Sequence, residues 1–178
     1  MIERSALALL VALSMPLSGA AQAPAYDPEE RLRELKIALP TPTTPVANYV
    51  QAVRSGNLVF LAGHGPCGTL QERHKGKVPR DRTIEEGYAA ARDTAVCLLA
   101  SLKAEIGDLR KVRRIVKVLG MVNSTEDFQQ QPRVINGCSD LLVAVFGDRG
   151  RHARAAVGMA SLPVNLTVEI EMVVEVED

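Results

Sequence analysis

The sequence predicts one α+β domain whose elements follow the order ββαβαββ, with two helices packed on one face of a mixed sheet. Two segments repeat apolar residues at the helical period and are bounded by capping residues, at about 84–106 and 132–146. Five other segments are alternating or rich in β-branched residues, as strands are. These strands are predicted at 46–54, 57–63, 111–123, 153–161 and 166–176. Two helices cover only one face, so the other face meets solvent or a partner.

Residues 1–23 have the pattern of a secretory signal peptide. An arginine precedes an Ala- and Leu-rich run over 5–17, and small residues follow it. The run is too short to predict a membrane span. Cleavage is expected after Ala23, with Ala20 and Ala25 as alternatives. An uncleaved anchor or a mis-assigned start is the alternative to export. Export predicts a periplasmic or secreted protein that has no membrane contact after the leader is removed.

Residues 24–45 are expected to form a short helix and a Pro-rich lead-in before the domain. Asp27 suits the N-cap, Pro28 the first helical position and Glu30 a capping box. The helix should end near Ile37. The segment that follows has three prolines, which fix φ and remove backbone donors, so we expect it to be extended.

The domain itself is predicted to span 46–178. Turn and capping residues indicate where its strands and helices begin and end. Gly56, between the first two strands, tolerates the positive φ of a hairpin turn. Thr83 and Glu86 form a capping box at the start of the first long helix, and Gly107 ends that helix. The second helix has Pro132 in its first turn and Gly147 at its end.

Composition argues against a nucleic-acid partner. Lys+Arg and Asp+Glu both number 21, and aromatic residues make up 3% of the chain with no Trp. A neutral chain with few stacking side chains is a poor binder of RNA or DNA.

The three cysteines allow at most one bridge within the chain, and their spacing fits no zinc site. Cys138 lies on an apolar helix stripe and is expected to be buried, whereas Cys67, in a Gly/Pro loop, is a candidate reactive thiol.

The last two predicted strands carry the most informative charges. They are joined by a short turn at Leu162-Pro163. If they pair, strand alternation places Arg154, Glu169 and Glu171 on one face. A guanidinium beside carboxylates can hold a small carboxylic acid and move a proton on it. The alternative is a cross-strand salt bridge without catalysis.

Two separated blocks of sequence resemble the YjgF/Rid (RidA-like) family of imine and enamine deaminases. The first block is YVQAV at 49–53, GNLVF at 56–60 and GHGP at 63–66, and the second is RHARAAVG at 151–158, Leu162-Pro163 and VEIE at 168–171. The resemblance covers about 46–176. Further motifs are similar to a branch named after endoribonuclease L-PSP and chorismate mutase. These motifs are Asn123-Ser124, Asp127-Phe128, Val134–Gly137 and Arg151–Arg154.

The resemblance implies a chorismate-mutase-like fold, a homotrimer, and clefts between subunits that need no metal or organic cofactor. It implies that Arg154 binds the substrate carboxylate and that Glu169 orders the attacking water. It also implies that Tyr49 and Gly63 line the pocket. The implied activity is hydrolysis of small 2-imino or 2-enamino acids to 2-oxo acids and ammonia. The alternatives are a non-catalytic trimer that binds small carboxylates and, more weakly, an endoribonuclease.

Three more residues are candidate substrate contacts. His64 could donate a proton near the pocket, the alternative being a histidine satisfied by its own chain. Asn136, on the second long helix, could contact ligand or backbone. Ala156 stands where relatives often have Cys, so any role for that thiol is absent. Ala62 likewise replaces a common Ser.

Overall fold

The computed structural model describes residues 26–42, 44–45 and 47–177. The leader predicted at 1–23 lies outside the described residues and stays a prediction. The elements are helix α1, strands β1 and β2, helix α2, strand β3, helix α3, and strands β4 and β5. Their bounds are Pro28–Glu34, Ala52–Ser55, Leu58–His64, Ile84–Ile106, Val112–Asn123, Gln131–Phe146, Ala153–Met159 and Val168–Val176. The ββαβαββ order is confirmed, although β1 begins at Ala52 rather than at 46.

Helices α1 and α2 begin at the predicted N-cap residues, but α1 ends at Glu34 rather than near Ile37. The Asp27 carboxylate accepts hydrogen bonds from the backbone N–H of Glu29 and Glu30 at 2.8 and 3.3 Å. Thr83 and Glu86 form a complete capping box on α2. Gly107 and Gly147 end α2 and α3 with φ of +83° and +60°, a conformation that glycine adopts without steric cost.

The sheet has five strands in the order β1-β2-β5-β3-β4. All neighbouring strands are antiparallel except β3 and β4, which are parallel. The prediction that β4 and β5 pair across the Leu162-Pro163 turn is therefore wrong, because β3 lies between them. The amphipathic helix α3 is the reason. It crosses over the sheet between β3 and β4, and a crossover of this kind returns a strand parallel to the one it left.

Both long helices pack on one face of the sheet, as predicted. Every second residue of β5, from Val168 to Val176, is buried beneath them. The two helices approach closely at Gly137, where an added Cβ would collide with the backbone carbonyl oxygen of Tyr88. Removing apolar area of this extent from water is the main favourable contribution to folding. Helix α1 packs at the edge of this core through the buried Leu32.

The opposite face of the sheet, here the open face, is uncovered. Val53, Phe60 and Val157 are 54%, 45% and 40% exposed there. A shallow groove of about 380 Å³ runs between β1, β2, β5 and β3, with Lys117 and Glu171 among its lining residues. Exposed apolar side chains on one face of a sheet are a feature of protein interaction surfaces and of ligand-binding grooves.

One disulfide links Cys67 to Cys97, with the Cα atoms 6.1 Å apart. The expectation of a reactive Cys67 thiol is therefore wrong. Cys138 is fully buried and unpaired, as expected, and burial raises the pKa of its thiol to about 12. Among the described residues, no helix combines the length and the apolar character that crossing a membrane requires.

Candidate functional site

A cavity of about 530 Å³ opens where β2 ends and β5 begins. Four of the predicted site residues line it, namely Tyr49, Gly63, His64 and Glu169. The other lining residues are Thr44, Gln51, Gly65, Pro66, Cys67, Gly68, Gln71, Pro163, Val164 and Leu166. The cavity is large enough for a small metabolite. Four of the residues predicted for the site therefore lie together in space.

Glu169 is the carboxylate of this cavity. Its side chain lies against Gly63, and a Cβ at that position would collide with Oε1 of Glu169. Glycine is thus needed at position 63 for the carboxylate to lie over the backbone of β2. Partial burial, and then the nearby charge of Glu171, raise the pKa of Glu169. A carboxylate with a raised pKa is a better proton acceptor near neutral pH than an ordinary one.

His64 is satisfied within its own chain. Nδ1 lies 2.7 Å from the carbonyl oxygen of Ala62, and Nε2 lies 2.8 Å from Oγ of Ser101. The residue is 6% exposed, and burial lowers the pKa of the imidazole. Both ring nitrogens have partners, and the charged form is disfavoured. The alternative given for His64, a structural histidine in the cavity wall, therefore fits the geometry.

Arg154 lies on the opposite face of the sheet from Glu169. In the strand register Arg154 is opposite Val118, and Glu169 is opposite Met121. Val118 and Met121 are three positions apart on a regular stretch of β3, so their side chains are on opposite faces. The prediction that Arg154, Glu169 and Glu171 share a face is wrong, and so is the alternative of a cross-strand salt bridge. Strand alternation does not extend through a turn that joins strands which are not neighbours in the sheet.

The Arg154 guanidinium contacts α3 rather than an acidic residue. Nη1 donates to Oδ1 of Asn136 and to Oγ of Ser139, both at 2.9 Å. Arg154 is exposed, and no carboxylate lies within ion-pair distance of it among the described residues. Within the subunit, Asn136 therefore contacts Arg154, the side chain predicted to bind the ligand. Ala156 lies on the same side of β4 as Arg154 and packs against the core.

Sequence reasoning missed Ser139, although a signal was present. Asn136 and Ser139 are three residues apart, so they lie on one face of α3 beside an otherwise apolar stripe. Gln51, Gln71 and Thr44 of the cavity wall were also missed. Thr44 and Gln51 precede β1 and Gln71 follows β2, and nothing in the local sequence indicates that these two segments meet.

The cavity wall is fastened to the helical layer by the disulfide. Five of the lining residues belong to the segment 65–71, which includes Cys67. Cys97, the partner, is on α2 and is 3% exposed. The backbone at one side of the cavity is thus covalently tied to the core.

Comparison with protein families gives a match over residues 29–176, to the family described as "YjgF/chorismate_mutase-like, putative endoribonuclease". Protein TCP17 of Trypanosoma cruzi is 40% identical over 148 residues, which are 83% of this chain and 92% of that protein. The 2-iminobutanoate/2-iminopropanoate deaminase of Dermatophagoides farinae is 30% identical over 142 residues, 79% of this chain and 95% of that protein.

Among solved structures, the protein Atu1372 of Agrobacterium tumefaciens, whose function is unknown, superposes with a TM-score of 0.78. It is 46% identical, and the match covers 84% of this chain and 92% of that chain. The family match spans most of the sequence and includes every strand of the sheet. The chain therefore belongs to the YjgF/chorismate mutase-like family.

Proposed function

We propose that this protein hydrolyses small 2-imino and 2-enamino acids to 2-oxo acids and ammonia, in clefts formed between subunits. The observation that carries the proposal is the separation of Arg154 from Glu169. The carboxylate lines a cavity, and the guanidinium lies on the other face of the same sheet with no acidic partner in the described chain. Each residue is half of a site, which becomes complete when Arg154 of one subunit meets the cavity of the next.

The uncovered face of the sheet supports an assembly. Val53, Phe60 and Val157 expose apolar surface on it, and β4, which carries Arg154, is an edge strand. A heterologous contact can bring the arginine of one subunit to the cavity of the next, and such contacts form a closed ring when the rotation closes. We propose a homotrimer of this kind, with one cleft at each subunit contact.

The chemistry requires little from the protein. Arg154 binds the substrate carboxylate through two parallel, charge-assisted hydrogen bonds. Glu169 holds a water next to the C=N carbon. The water oxygen bonds to that carbon while Glu169 accepts a proton. The electron pair of the C=N bond of the protonated imine moves to nitrogen, which gives a neutral carbinolamine. Glu169 returns its proton to that nitrogen, the C–N bond breaks to release ammonia, and the hydroxyl oxygen gives its proton to Glu169 as the C=O forms. The C=N carbon is already electrophilic, so the residues need only to position the water and move the proton.

A relative supports the reaction class. The Dermatophagoides farinae protein named 2-iminobutanoate/2-iminopropanoate deaminase is 30% identical over most of both chains. The residues proposed here for carboxylate binding and water positioning are Arg154 and Glu169. Tyr49, 47% exposed at the rim of the cavity, is placed to contact a ligand or the neighbouring subunit.

We further propose that the protein acts outside the reducing cytoplasm. The leader pattern of 1–23 motivates this, and the Cys67–Cys97 disulfide supports it, since disulfides persist mainly in oxidising compartments. An exported deaminase would act on imino acids other than those released by cytoplasmic enzymes.

The reaction is tested by generating imines in place with an amino-acid oxidase and trapping the surviving imine with semicarbazide. We expect purified protein to lower the yield of trapped imine and Arg154→Ala to abolish this effect. A wild-type protein that leaves imine decay unchanged contradicts the proposal. If that protein nevertheless binds 2-oxobutanoate, it is a carboxylate-binding protein without catalysis.

A further inference from the structure

Arg154 lies at one end of a chain of hydrogen bonds that connects α3 to the turn before β4. Its Nη1 donates to Oδ1 of Asn136 and to Oγ of Ser139, both at 2.9 Å. The same Ser139 oxygen lies 3.0 Å from Nε2 of His152. Nδ1 of His152 lies 2.7 Å from the carbonyl oxygen of Gly150.

The hydrogen-bond partners of His152 and Ser139 determine which atom carries each proton in this series of hydrogen bonds. The Gly150 carbonyl can only accept, so Nδ1 of His152 carries a hydrogen. Nε2 of the neutral ring then accepts, and the Ser139 hydroxyl donates to it. The lone pairs of Ser139 are left for Arg154. Burial, followed by the charge of Arg154, lowers the pKa of His152, which favours this neutral ring.

The arrangement occupies one end of the guanidinium and leaves the other available. Both hydrogens of Nη1 are used by Asn136 and Ser139. Among residues 26–42, 44–45 and 47–177, no hydrogen bond is formed by Nε or Nη2 of Arg154. These two nitrogens form the side edge of the guanidinium. This edge can bind a carboxylate through two parallel hydrogen bonds.

We propose that Ser139 and His152 are positioning residues that hold Arg154 so that its Nε and Nη2 edge receives the substrate carboxylate. The inference rests on the proposed function, because it assigns a role within the same site. Neither residue needs to touch the substrate. An unrestrained arginine would lose rotamer freedom when it binds an anion, whereas an arginine already fixed by α3 loses less.

The test is the affinity for 2-oxobutanoate, measured by calorimetry on the full protein. Ser139→Ala and His152→Phe should each weaken binding about tenfold, because each breaks the chain of hydrogen bonds. His152→Gln should retain most of the affinity, since its amide oxygen can accept from Ser139. Ser55→Ala, an exposed serine at the β1–β2 turn, is the matched control and should change nothing. In the hydrolysis assay KM should rise with kcat unchanged.

A double-mutant cycle separates positioning from folding. In an Arg154→Ala background, Ser139→Ala should cause no further loss of affinity, because nothing remains for it to position. Unchanged affinity in Ser139→Ala, or a lowered melting temperature with no change in affinity, would overturn the inference. Wild-type protein that binds but does not hydrolyse would overturn the deaminase proposal alone. Wild-type protein that binds no 2-oxo acid would overturn both.

Discussion

Replacing Glu169 by glutamine should lower kcat for imine hydrolysis by about 10²–10⁴-fold and leave carboxylate binding nearly unchanged. The amide has the shape of the carboxylate and fits over Gly63, but it cannot accept the proton of the attacking water. Arg154 is untouched, so 2-oxobutanoate should still bind. The measurement is kcat and KM with imines generated in place, together with calorimetric binding.

The pH profile gives the same experiment a second readout. Burial and the charge of Glu171 raise the pKa of Glu169. The active form is the carboxylate, so activity should be present above this raised pKa and be lost as the pH falls through it. Glu175→Gln is the matched control, since Glu175 lies on the same strand and face but outside the cavity. An unchanged kcat in Glu169→Gln would contradict the role given to this residue.

Breaking the Cys67–Cys97 disulfide should lower the free energy of unfolding by about 3–4 kcal/mol. The bridge closes a loop with a sequence separation of 30, and removing it returns loop entropy to the unfolded chain. The segment 65–71 should also lose its attachment to α2, so the affinity for 2-oxobutanoate should fall. The measurement is denaturant unfolding of wild-type protein with and without reductant.

The Cys67→Ser/Cys97→Ser variant provides the control for this prediction. It should be about as unstable as the reduced wild-type protein, and reductant should not change it further. The free Cys138 is present in both proteins, so any effect of reductant on it cancels in the comparison. Wild-type stability that is independent of reductant would contradict the disulfide.

The helices and the first hairpin could be predicted because their signals are local. Thr83, Glu86 and Gly107 fix the ends of α2 through bonds and dihedral angles within a few residues. Strand order has no such local signal. The turn at Leu162-Pro163 looks like a hairpin in sequence, but β5 is inserted between β2 and β3. The long-range pairing follows from how the whole sheet buries its apolar face, which is a property of the tertiary packing.

The residues of the candidate site were easier to identify than their arrangement. Tyr49, Gly63 and Glu169 do line one cavity. The face of Arg154 could not be derived by counting, because alternation carries no information through the irregular segment 160–167. Likewise, three cysteines allow several pairings, and sequence alone does not select the bridge between Cys67 and Cys97.

The most direct test of the central claim uses two inactive variants together. Arg154→Ala and Glu169→Gln subunits, co-expressed with different tags, would be purified as mixed assemblies and assayed for imine hydrolysis. If Arg154 and Glu169 of one cleft come from different subunits of a trimer, every mixed trimer has one intact cleft of three, so about a third of the wild-type activity should return. Mixed assemblies that remain as inactive as either variant alone would contradict a site shared between subunits.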